Sequence, residues 1–134
     1  MEEQTGYEVL DEAECHALLD ATPIGRVAFV ADDRPVALPV NYRWHDGTVV
    51  FRSREGQKLH AAASGQHVCF EIDGWDTRQR TGWSVLVGGV ANEVTSWAET
   101  EELEQLDLVP WSKGEWSERW VRITVEELSG RRFG

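Results

Sequence analysis

The sequence predicts an α+β protein that is mainly β, built as an antiparallel barrel with short flanking helices, and three observations carry that reading. Six short apolar runs with strand character, "RVAFVAD", "PVALPVNYRW", "TVVFRSRE", "HVCFEID", "WSVLVGGVANEVTS" and "WVRITVEELSGRRF", are bounded by turn residues. The first three runs are joined only by Asp32-Asp33 and His45-Asp46-Gly47. Parallel neighbours need a crossover of about a dozen residues or more, so these strands are antiparallel. The helical stretches fall between sheet neighbours, which fits a barrel better than a doubly wound sheet.

Each element has a local reason. In "LDEAECHALLDAT", Asp11 caps a helix, Glu14 completes a capping box three residues on, and Leu10 staples the entry. Cys15, Leu18 and Leu19 then share one face, and Pro23 and Gly25 end the helix. The strand containing "ALPVNY" carries Pro39, which removes a ladder donor and places the strand at an edge or a bulge. "QKLHAAASG" reads as a two-turn helix closed by Gly65, and "AETEELEQLD" as an acidic amphipathic helix. "GWDTRQRTG" reads as a connection, and Gly88-Gly89 as a bulge that curves the fifth strand. With 134 residues, 41% of them hydrophobic, the chain supports one core and one domain over 1–134, with 1–9 as a flexible tail.

Charge excludes several function classes. Lys and Arg total 13 against 24 Asp and Glu, a net charge of −11. That field repels phosphate polymers and anionic bilayers, so neither nucleic acid nor a membrane is expected as a partner. The acidic N-terminal segment and the lack of any apolar run of about 20 residues lead to a cytoplasmic expectation. Cys15 and Cys69 are expected to be free thiols, and the four histidines show no metal spacing, so no metal is expected. GxGxxG, GxxxxGK[ST] and GxSxG are all missing, and no side chain stands out as catalytic.

Against this acidic background, Arg52, Ser53, Arg54 and Lys58 gather around one turn. Cations and a hydroxyl beside a helix start suit a phosphate group, although the same charges could balance nearby acids such as Glu55. The seven Trp are many for one small core, and Trp83 with Ser84 lies on a strand whose glycine pair would let a planar ligand approach.

These segments, "GRVAFVADDRPVALPVNYRWHDGTVVFRSREGQKLHAAA", "VCFEIDGWD", "TGWSVLVGGVANEV", Pro110-Trp111 and "WVRITVEELSGRR", resemble in order the pyridoxamine 5′-phosphate oxidase-like FMN-binding split-barrel proteins, particularly the short actinobacterial-type branch. The resemblance runs from about Leu10 to Arg132. It implies a six-stranded split-barrel homodimer with FMN in clefts between the subunits. Carried over by position, Leu38, Pro39, Val40 and Asn41 would face the flavin ring, and Arg52, Ser53 and Lys58 would hold its phosphate. Trp83 and Ser84 would reach the ring, and Trp111, Arg131 and Arg132 would come from the partner subunit.

The resemblance further implies an oxidoreductase in which the flavin moves hydride or electrons to or from a small-molecule substrate. The alternative is a cofactor carrier or sensor that binds a flavin or a deazaflavin without turnover. Longer oxidases of the family carry a basic C-terminal segment for a substrate phosphate, whereas this sequence has only Arg131 and Arg132 before Gly134, so vitamin-phosphate oxidation is not expected.

Overall fold

The computed structural model describes residues 6–54, 56–109 and 118–134. Strands β2 (Ile24–Ala31), β3 (Arg34–His45), β4 (Thr48–Arg54), β5 (Ser64–Asp76), β6 (Thr81–Glu93) and β7 (Glu118–Phe133) form an antiparallel ring in the order β7-β4-β3-β2-β5-β6, closed by pairing of β6 with β7. Helices α1 (Glu12–Ala21), α2 (Lys58–Ala62) and α3 (Trp97–Glu104) flank the ring. Among the described residues, no helix is long and apolar enough to cross a membrane.

Both tight turns follow from residue type. Asp32 and Asp33 have φ of 53° and 60°, and Asp46 and Gly47 have 49° and 69°. Two consecutive positive-φ residues match the right-handed twist of a two-residue hairpin, and Asp and Gly tolerate that backbone best. The turns pin the register at Ala31↔Arg34 and His45↔Thr48. Alternation then sends Val27, Phe29, Tyr42, Val49, Phe51, Phe70, Ile72, Val85, Val87, Val121 and Ile123 into one apolar interior. Tyr42 is buried edge-on against Phe70 and donates its hydroxyl to the Leu19 carbonyl at 2.7 Å, which ties α1 to the barrel wall.

The capping box forms as expected: the Glu14 N–H donates to Asp11 at 2.8 Å, and the Asp11 N–H donates back to Glu14. Cys15 and Leu19 are buried beneath α1. Burial and the neighbouring Asp11, Glu14 and Glu12 push the Cys15 thiol up, away from thiolate chemistry. Cys69 is a free, exposed thiol. A second apolar cluster of Val50, Val94, Leu103, Leu108 and Trp120 lies under α3, outside the ring.

Two expectations are corrected. Of the tail assigned to 1–9, Tyr7–Val9 is instead strand β1, pairing with β7 through Tyr7↔Phe133 and Val9↔Arg131. β7 runs past the end of β4, and Tyr7 fills the edge left there, with Phe133 at 5.7 Å and the Arg131 guanidinium 4.7 Å over its ring. The connection expected over "GWDTRQRTG" is mostly strand, with β5 and β6 continuing to Asp76↔Thr81. Its glycines misled the reading because each is covered by a tryptophan. A Cβ on Gly74 would come within 2.6 Å of the Trp83 ring, and one on Gly82 within 2.3 Å of the Trp75 ring. The bulge at Gly88-Gly89 is present, as a register shift between β6 and β7.

Candidate functional site

The ring is incomplete between β3 and β4. Their pairing covers Tyr42↔Phe51 to His45↔Thr48, whereas residues 34–41 of β3 pair with β2 alone among the described residues. Continuing the register would set Val40 opposite Ser53, but the strands part first. The result is a seam. Leu38 shows it: its side chain belongs to the inner face, in register with fully buried Val27, yet it is 39% exposed.

From Pro35 to Pro39 the lip of the seam has no second partner strand among the described residues, and the ladder says which backbone groups line it. A two-residue turn makes Ala31↔Arg34 a hydrogen-bonded pair, so the even-numbered residues of β3 bond to β2 and the odd-numbered ones face the seam. The Tyr42 N–H agrees, donating to the Pro23 carbonyl at 3.3 Å on the β2 side. Pro35, Ala37, Pro39 and Asn41 therefore turn their backbone groups toward the opening. Of the four residues that resemblance places at a flavin ring, Pro39 and Asn41 contribute backbone to the seam, while Leu38 and Val40 contribute inner-face side chains. The edge strand inferred from Pro39 is thereby found.

The cation cluster divides. Ser53 alternates with Arg52 and Arg54, shares the inner face with Val49 and Phe51, and is 3% exposed; its Oγ is buried with no hydrogen-bond partner among the described residues. An orphaned hydroxyl of this kind costs about 1–3 kcal/mol, and a ligand oxygen would relieve it. Lys58 opens α2 and is exposed; its Nζ lies 3.3 Å from Asp32 Oδ2 in the β2–β3 turn. Between them, Gln57 Oε1 accepts from the Arg54 N–H at 3.3 Å, closing the end of β4.

Arg52 points the other way, under α3, with Nε 3.1 Å from Glu118 and Nη2 3.6 Å from Glu104, and its guanidinium 5.1 Å over the Trp120 ring. Ser53 and Lys58 thus flank the seam, and Arg52 does not join them within this chain. Strand alternation sets Arg52 and Ser53 on opposite faces of β4. The pairing of Lys58 with Asp32 has no sequence signal beyond the place of Asp32 in the β2–β3 turn.

The remaining expected residues spread over β6 and β7. Trp83 lies across Gly74 toward the inner side at the far end of the barrel. Ser84 stands on the outer face in register with Asp73 and Arg131. Arg131 and Arg132 face opposite ways: Arg131 stacks on Tyr7, and Arg132 reaches Glu14 at 3.1 Å. Ser84 and Arg131, with Glu71, Leu86 and Ser129, line an outer cleft of about 190 Å³. Arg26 Nη1 bridges Glu71 at 3.3 Å and Asp73 at 3.1 Å beside it. Burial and the adjacent Asp73 push Glu71 up to about 7, against the pull of Arg26. Trp111 lies outside the described residues.

The six-strand ring and the ordered motifs find their match in a known family. The sequence profile described as pyridoxamine 5′-phosphate oxidase matches residues 11–132. The chain belongs to that family. It is 38% identical over 107 residues to the uncharacterized protein Rv0080 of Mycobacterium tuberculosis, covering 76% of this chain and 70% of the relative. Among solved structures it is similar to an FAD binding protein from Mycobacterium smegmatis, at 35% identity and TM-score 0.81, covering 95% of this chain and all (100%) of the other. A conserved protein of unknown function from Corynebacterium diphtheriae is similar at 28% identity and TM-score 0.81, covering 96% of this chain and 99% of the other. Like other pyridoxamine 5′-phosphate oxidase family members, this chain has the split-barrel fold.

Proposed function

We propose that this chain is an FMN-binding oxidoreductase of the cytoplasm, acting as a homodimer that seats the flavin ring against the β3 lip and the phosphate beside Ser53 and Lys58. The observation that carries the reading is the buried Ser53 hydroxyl, unpartnered among the described residues at the end of β4, where the seam opens near Lys58. A phosphate oxygen would accept from Ser53 Oγ, and the Lys58 ammonium would exchange Asp32 for the phosphate at little cost, because the Lys58–Asp32 pair is solvent-exposed. The free edge of β3 offers main-chain groups to the polar rim of the ring, and Leu38 offers it an apolar contact.

Bound there, the flavin would supply hydride or electron transfer, which accounts for an enzyme without a conspicuous acid–base pair. The protein's own groups bind, orient and exclude water. A second copy of the chain supports that exclusion. The outer face of β2 and β3 exposes Val30 (54%) opposite Pro35 and beside Ala28 and Ala37. Such a row suits contact with a partner more than contact with water. The substrate is a small molecule that reaches the ring from the rim of this contact.

FAD is the second reading, favoured by the 35% identical Mycobacterium smegmatis relative described as an FAD binding protein. It would use the same ring seat, as would a deazaflavin in a carrier. Titration of the purified protein with FMN, FAD and a deazaflavin, followed by fluorescence, separates these readings, with sedimentation velocity reporting the dimer. The FMN reading expects quenching of FMN fluorescence at micromolar protein and a weaker response in Ser53→Ala. No binding of any flavin would overturn it. Reduction of the bound flavin by a nicotinamide donor and reoxidation by an added acceptor distinguish an enzyme from a carrier.

A further inference from the structure

The β3 lip is lopsided in its hydrogen bonding. Four residues direct backbone toward the seam, and two of them, Pro35 and Pro39, have no N–H. From Pro35 to Pro39 the lip therefore presents three carbonyls, those of Pro35, Ala37 and Pro39, and a single donor, the Ala37 N–H. An ordinary strand edge alternates donors and acceptors in equal number. The same gap makes the lip a poor template for another strand, which would forfeit two of its hydrogen bonds, and so leaves it to a small ligand.

We infer that this carbonyl-rich lip makes the protein bind reduced flavin more tightly than oxidised flavin. The inference rests on the flavin reading above. The polar rim of an oxidised ring carries acceptors at O2, O4, N1 and N5 and one donor at N3. Adding two electrons and two protons, one at N5 and one at N1, turns both atoms from acceptors into donors and leaves the ring neutral. A carbonyl of the lip that faces either atom then gains a partner, and two fewer ring acceptors compete for the Ala37 N–H. A buried carbonyl left facing a lone pair is penalised, so the balance moves toward the reduced ring. Tighter binding of the reduced form raises the potential of the bound flavin, which makes it a stronger oxidant than free flavin. The loaded protein is thereby suited to taking hydride from its substrate.

Anaerobic titration measures the two affinities separately, using FMN and dithionite-reduced FMN with the whole protein, and spectroelectrochemistry reads the potential of the bound cofactor. The expected result is at least about tenfold tighter binding of reduced FMN, equivalent to a potential about 30 mV above free FMN for a two-electron couple. Pro39→Ala, and separately Pro35→Ala, restores an N–H to the lip, and each should narrow that ratio while oxidised FMN binds as well or better. Equal affinities, or tighter binding of the oxidised form, would overturn the inference and leave the flavin site standing. A ratio that both proline variants leave unchanged would overturn its assignment to the lip. Failure to bind either form would remove the flavin reading itself.

Discussion

The barrel has a closed wall and an open one, and they are built from opposite choices. On the closed side, β5, β6 and β7 pair without a gap from one end to the other apart from the bulges, and glycines accept the face of whatever lies opposite: Trp83 on Gly74, Trp75 on Gly82, and the Thr124 carbonyl over Gly89. On the open side, β3 and β4 part after Tyr42 and Phe51, prolines blunt the edge, a leucine of the inner face meets solvent and a serine hydroxyl is buried without a partner. The first wall spends its residues on stability. The second leaves polar groups and an apolar side chain unsatisfied, the pattern by which a binding site differs from a core within one small fold.

Substitutions on the two walls should therefore separate stability from binding. The largest effect is expected at Gly89, where an added Cβ would come within 2.1 Å of the Thr124 carbonyl oxygen. Gly89→Ala should cost about 3 kcal/mol in urea denaturation, and an unchanged midpoint would show that β6 and β7 are not locked there. At the seam the signs should divide. Ser53→Ala removes an orphaned hydroxyl, so the flavin-free protein should gain about 1 kcal/mol. The same variant should bind FMN about tenfold more weakly, for a lost charge-assisted hydrogen bond of about 1.5 kcal/mol.

Lys58→Ala should leave flavin-free stability within about 0.5 kcal/mol, because its pair with Asp32 is exposed. Its FMN affinity should fall by about threefold to tenfold, with the loss shrinking in high salt. A Lys58 variant that binds riboflavin and FMN with unchanged preference would place the phosphate elsewhere.

The smallest effect is on pH dependence. Glu71 is raised from 4.5 to about 7, so the folded protein holds a proton that the unfolded chain releases. Its contribution to stability is fully present below about pH 4.5 and is lost as pH rises through about 7. Glu71→Gln should flatten thermal stability across that interval. A slope unchanged from the parent would show that the carboxyl is as acidic in the folded protein as in the unfolded chain.

The sequence displayed the frame more openly than the site. The Asp-Asp and Asp-Gly turns, the capping box at Asp11 and the Gly88-Gly89 bulge act over a few residues, so their signals are local and were readable. Pro39 announced an edge for the same reason. What escaped depended on contacts across the sheet. Gly74 and Gly82 looked like the ends of a loop because the tryptophans that cover them lie on the opposite strand. Tyr7 looked like tail because its partner, Phe133, is at the other end of the chain. In the candidate site, Arg52, Ser53 and Lys58 came together by residue type and resemblance, whereas the ion pairs of Arg52 with Glu104 and Glu118 depend on contacts across elements that the sequence does not display. The pairing of Lys58 with Asp32 joins two elements that no sequence pattern connects.

The most direct measurement of the central claim is amide hydrogen exchange at Ala37, the one donor between the two prolines on the seam lip. The account predicts fast exchange in the flavin-free protein and slowed exchange on saturation with FMN, with the Ser53 region protected in the same titration. FMN that binds tightly while Ala37 and Ser53 keep their flavin-free exchange rates would contradict it, because the cofactor would then be seated away from the seam.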